Sequence, residues 1–99
     1  MGVVTDGFDW DSGNRAKCQK HGVTIAEIEA FLLGNPRIAR DFKHSTQEER
    51  WLAVGRNREG RAMFVVFTFR NRDGLLLIRP LSARYMHRQE IDNYESQSS

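Results

Sequence analysis

The chain has 99 residues, 39% hydrophobic and 28% charged, with a formal net charge of +2. That suits one folded domain with a modest core, since a domain this size hides only roughly 60–70% of the surface its unfolded chain exposes. It excludes an internal disulfide, because Cys18 is the single cysteine, and no stretch reaches the roughly 20 apolar residues of a transmembrane helix.

Phe8 to Trp10 reads as a short strand. Asp11 or Ser12 can cap a helix that ends at Lys20-His21, with Gly22 as its left-handed stop. Thr24 opens a second helix, and its spacing to Glu27 is that of a capping box. Ile25, Ile28, Phe31 and Leu32 fall on one face of that helix, and Gly34-Asn35-Pro36 ends it. Ile38 to Phe42 reads as an edge strand. Trp51 to Arg56 and Ala62 to Phe69 flank a turn at Asn57-Arg58-Glu59-Gly60, and Leu75 to Leu81 pairs back after Asn71-Arg72-Asp73-Gly74. Met63 to Phe67 is apolar on both faces, which marks a central strand that helices must cover. Ser82 can cap a last helix over 83–94, and residues 96–99 read as a frayed tail. The expected fold is α+β in one domain, residues 1–99: an antiparallel β-meander with N-terminal helices and a C-terminal helix.

Residues 1–8 lack a basic segment followed by an apolar run, so the expectation is a cytoplasmic protein without a signal peptide or a membrane partner. The charge is uneven. Residues 1–50 carry seven Lys/Arg and eight Asp/Glu, whereas residues 51–99 carry eight Arg, no Lys and five Asp/Glu. An arginine fork matches phosphate oxygens bidentately, as a lysine point charge does not.

Three clusters could carry chemistry. Lys20 and His21 at a helix C-terminus complement its dipole, and can equally serve as a positioned acid–base pair. Arg79, at the end of a leucine-rich strand, needs a partner or an open cleft. Arg84 is expected in the first turn of the last helix, where the dipole opposes a cation, with His87 and Arg88 as its helical neighbours. Asp41, His44, Glu48, Glu49 and Arg50 form a polar loop before Trp51. The spacing of His21, His44 and His87 matches no zinc pattern, so no metal and no cofactor are expected.

The stretches Phe8-Asp9-Trp10-Asp11, Lys20-His21-Gly22-Val23, His44-Ser45, Glu49-Arg50, Gly60-Arg61 and Ser82-Ala83-Arg84, with the later Glu90 and Tyr94, together resemble the BrnT toxins. Lys17 and Pro80 depart from the common pattern. The resemblance implies a RelE-like fold and metal-independent RNA cleavage that inhibits translation. It further implies neutralisation by a cognate BrnA-like antitoxin, through which alone the toxin would meet promoter DNA. Such an enzyme needs a base, an acid and cations. Lys20, His21, Arg79, Arg84, His44 and Glu49 are the candidate catalytic residues, and Arg61, Arg50, Trp51, Tyr85 and His87 the candidate RNA contacts. The expectation is that Lys20-His21, Arg79 and Arg84 converge. The alternative function is a non-catalytic RNA- or protein-binding module that uses the arginine-rich face.

Overall fold

The computed structural model describes residues 3–41 and 48–98. Its elements in order are β1 (Gly7–Phe8), α1 (Ser12–Gln19), α2 (Ile25–Leu33), β2 (Arg37–Arg40), β3 (Trp51–Arg56), β4 (Ala62–Arg72), β5 (Leu75–Tyr85) and α3 (Arg88–Ser98). None of the described helices is long and apolar enough to cross a membrane.

Both N-terminal helices begin as their sequences require. Asp11 caps α1 in a reciprocal box with Asn14, and Thr24 caps α2 in one with Glu27. Each box satisfies amides that the first helical turn leaves without partners. Asn14 also donates from its Nδ2 to the carbonyls of Asp9 and Pro80, both at 2.9 Å. This nearly buried side chain therefore fastens α1 to β5 and leaves no polar atom unmatched.

Among the described residues the sheet has five strands, in the order β1-β5-β4-β3-β2. The pairs β2/β3, β3/β4 and β4/β5 are antiparallel, and β4 is central. Asp73 and Gly74, both at positive φ, make the tight turn between β4 and β5. The sheet is nonetheless mixed, because β1 pairs parallel with β5 and so covers its outer edge. A wholly antiparallel sheet was the expectation. The parallel contact depends on where the N-terminal segment is brought back, which no local pattern records.

The second correction is larger. No helix starts at Ser82. Residues 82–85 continue β5, paired with β4 from Val66↔Ser82 to Met63↔Tyr85. Strand β4 is 11 residues long, and β5 matches it. A weak capping signal at Ser82 yields to that full ladder of backbone hydrogen bonds. Between Phe67↔Pro80 and Val66↔Ser82 the register shifts by one residue. Proline has no N–H for the ladder, so a bulge beside Pro80 is where the irregularity costs least. The last helix starts instead at Arg88, where Glu90 accepts the His87 N–H at 2.9 Å.

Alternation along the strands sorts the side chains. Val65, Phe67, Ile78 and Ala83 share one face and form the core with Cys18, Ile28, Phe31 and Leu32 from α1 and α2. Burial pushes the Cys18 thiol up to about 11, consistent with a filler rather than a nucleophile. The partner pairs Phe64↔Arg84 and Thr68↔Arg79 place both arginines on the opposite face. Helix α3 lies over that face through Arg84–Glu90, Arg56–Glu95 and Arg37 above the Tyr94 ring.

Candidate active site

The densest meeting of candidate residues is the end of the sheet where β5 stops and β4 starts. The turn before β4 is built by Asn57, whose Oδ1 accepts the N–H groups of Glu59 and Arg61. This aims Arg61 at Tyr85, with its guanidinium carbon 3.4 Å from the ring centroid. Such a cation held on a ring face is worth roughly 0.5–1 kcal/mol at an exposed site. The Tyr85 hydroxyl in turn donates to Glu27 at 2.5 Å. That bond holds the phenol above its usual value and the Glu27 carboxyl below its own. Glu27 thus has two duties, capping α2 and receiving Tyr85. The sequence shows the first and hides the second, because Tyr85 lies 58 positions away. One face of the Tyr85 ring is covered, so an RNA base could stack there only after Arg61 moved.

Arg84 lies one residue earlier on the opposite face. Both its terminal nitrogens reach the two Glu90 oxygens at 2.7 Å, and its guanidinium carbon lies 4.4 Å from the Phe64 ring centroid. Arg84 and the His87 N–H hold the Glu90 carboxyl at about 2, below its ordinary 4.5. A lowered carboxyl stabilises the fold fully above its unfolded value and loses that contribution as pH falls through the folded one. Glu90→Gln should therefore melt below the native chain near neutral pH, and the gap should close as pH falls from about 4.5 to about 2. Thermal melts across that range check it. A gap that widens on acidification would contradict the pairing.

Arg79 is held elsewhere. Its Nη2 meets Asp11 at 2.8 Å, and its Nη1 lies 3.5 Å from Asp9, which Arg72 also contacts at 3.2 Å. Trp10 donates from its Nε1 to Glu29 at 2.9 Å. The Phe8-Asp9-Trp10-Asp11 opening is thereby explained as the anchor of α1 on β5 and α2. Arg79 and Arg84 share a face but stand five positions apart on one strand, or about 16 Å. The expected closeness of these two does not hold, because no helix follows Arg79 directly.

Lys20 and His21 are exposed, and their side chains make no hydrogen bond or ion pair among the described residues. Helix α1 separates them from Arg79, since Asp11 at its start holds that arginine and Lys20 caps its end. Eight residues of helix span about 12 Å. Lys20-His21 lead instead, through Gly22 at a φ of +89°, into the cap of the helix that carries Glu27. The expected cluster therefore divides. Arg84 falls at the Tyr85 end with Arg61 and Glu27, Lys20-His21 come immediately before the Glu27 helix, and Arg79 stands apart.

The third cluster is only partly described. His44 lies outside the described residues. Glu49 is exposed, pairs with Arg40 at 3.2 Å, and offers its carbonyl to the Thr68 hydroxyl at 2.7 Å. Glu48 pairs with Arg70 at 2.8 Å, and the Arg50 carbonyl accepts the Asp41 N–H. Trp51 packs edge-on against Phe69 with centroids 6.5 Å apart, so its ring belongs to the core margin rather than to an open stacking platform. His87 is exposed just ahead of α3. No group of three or more His, Cys, Asp or Glu side chains suited to a metal ion occurs among the described residues.

A family model described as "Ribonuclease toxin, BrnT, of type II toxin-antitoxin system" matches residues 10–90, a span that includes Glu27, Arg61, Arg84 and Tyr85. No curated protein matches the chain.

Proposed function

The chain belongs to the BrnT family of ribonuclease toxins of type II toxin–antitoxin systems, and on that premise we propose that it cleaves RNA without a metal ion at the Tyr85 end of its sheet. The observation that carries this reading is the meeting of Arg61, Tyr85 and Glu27 there, with Arg84 one residue earlier on the opposite face of the same sheet end. Cleavage at a ribose 2′-hydroxyl needs a base for that hydroxyl, an acid for the departing 5′-oxygen and cations for the charge that grows on phosphate. Arg84 and Arg61 supply the charge in this reading. Lys20 and His21, free of partners among the described residues and next to the Glu27 helix, supply proton transfer. Arg79 is a positioning residue that acts through Asp9 and Asp11 on the start of α1. His44 and Glu49 form the second-choice site.

The toxin reading carries further proposals: a RelE-like arrangement, an endonucleolytic cut that inhibits translation, neutralisation by a BrnA-like antitoxin, and contact with promoter DNA only through it. Induced expression should arrest growth, and co-expression of the neighbouring small DNA-binding protein should restore growth and yield a complex that co-purifies. Unimpaired growth with the protein shown to be abundant, or a chain that elutes alone beside an abundant neighbour, would count against this reading. A non-catalytic binding module is the second reading. The saturation of Arg84 by Glu90 favours it, because a catalytic arginine must leave that carboxylate to reach phosphate.

A further inference from the structure

We propose that the groove between α2 and the turn that joins β3 to β4 holds one unstacked base of the RNA, with a neighbouring phosphate on Arg58. The proposal rests on the ribonuclease reading above. The groove measures about 460 Å3, within the roughly 300–1,000 Å3 of typical small-ligand sites. Ala26 and Ala30 of α2 line one side and Asn57 and Arg58 of the turn the other, with Glu27 at the margin.

Its polar groups suit the edge of a base. Glu27 is an acceptor held in place from behind, by the Tyr85 hydroxyl on one oxygen and by the Thr24 hydroxyl and N–H at 3.3 and 3.4 Å on the other. Asn57 spends its Oδ1 on the turn, which leaves the Nδ2 as a donor. An acceptor and a donor on one groove match the mixed edge that every base presents. Single-stranded RNA is read in this way, by splayed bases bonded along their edges. Ordered walls lower the cost of binding, because little has to be immobilised.

The charged groups lining the groove balance, Arg56 and Arg58 against Glu27 and Glu59, so the occupant is chosen by the ribonuclease reading and the paired acceptor and donor, with Arg58 as the cation for phosphate. Arg56 is engaged by Glu95 and the Gly60 carbonyl. Arg58 is exposed and forms no ion pair among the described residues, although Glu59 stands beside it. Arg61, on the same turn, leads to the Tyr85 site. A strand with a base in the groove and a phosphate on Arg58 is thus directed toward Arg61 and the proposed cleavage centre.

The test uses the full chain, a fluorescent single-stranded oligoribonucleotide followed by anisotropy, and a cleavage assay with the same RNA. Ala30→Trp fills the groove from an exposed helical position, and Arg58→Ala removes the phosphate contact while leaving the groove open. Ala30→Trp should raise Kd about tenfold or more, equivalent to about 1.4 kcal/mol. Arg58→Ala should weaken binding less, and lower the slope of log K against log salt by about one phosphate contact. If the native chain cleaves RNA and both folded variants bind as it does, the groove proposal fails while the ribonuclease reading stands. If Ala30→Trp keeps RNA binding but loses the antitoxin, the occupant is protein and the proposal fails. If the native chain neither binds nor cleaves RNA, both readings fall together.

Discussion

Arg84→Ala is expected to slow RNA cleavage by about 10²–10³-fold, the usual consequence of removing one donor to a charged transition state, which Arg84 becomes on leaving Glu90. The fold should survive. Arg84 and Glu90 are 30% and 38% exposed, so breaking their pair returns Glu90 to water instead of stranding a buried charge. Its cost to stability should be at most about 1 kcal/mol. Arg84→Lys keeps the charge and loses the two-pronged geometry, and should fall between the two. The comparison needs kcat as well as KM, because a transition-state contact lowers kcat, whereas one equally strong in the bound substrate raises KM alone. An Arg84→Ala variant that is folded and cleaves at the native rate would remove Arg84 from the site and shift attention to Glu49 and His44.

Asn14→Ala should produce a large loss of stability. The substitution deletes three hydrogen bonds: the one accepted from the Asp11 N–H at 2.7 Å and the two donated to the Asp9 and Pro80 carbonyls. The backbone bond from Asn14 to the Asp11 carboxylate survives it. Losing part of a cap and leaving buried carbonyls without donors should together cost about 2–4 kcal/mol. In a domain of this size that is a fall in Tm on the order of 15 °C. Asn14→Asp tests the cause. It restores the acceptor for Asp11 but turns a carboxylate toward two carbonyls, so it should be no better than alanine. If thermal melts of both variants match the native chain, the fastening of α1 to β5 is not what the geometry implies.

What the sequence discloses here is what lies within a few positions along the chain. The Thr24–Glu27 box, the Gly22 stop and the Asp73-Gly74 turn are local, and each appears where its residues put it. Ser82 was legible as a cap and is a strand residue, because its conformation is set by pairing with Val66 across the sheet. The same error gave Arg84 its apparent misfit. On a strand it opposes no helix dipole, and its partner Glu90 lies six positions ahead. Arg79 did need a partner, as its sequence context required, but Asp11 sits 68 positions away. Glu27 was concealed because its visible local duty was sufficient to account for it. Nothing local pointed to Tyr85 as its second partner, or to the groove between α2 and the turn, whose walls come from separate parts of the chain.

The proposed activity is metal-independent cleavage at the Tyr85 end of the sheet. Its most direct test is incubation of the purified chain with single-stranded RNA in excess chelator, alongside Arg84→Ala and Arg61→Ala of verified fold. The predicted result is cleavage that chelation leaves unchanged and that either substitution reduces strongly. Cleavage abolished by the chelator and restored by a divalent ion, or native rates in both folded variants, would contradict it.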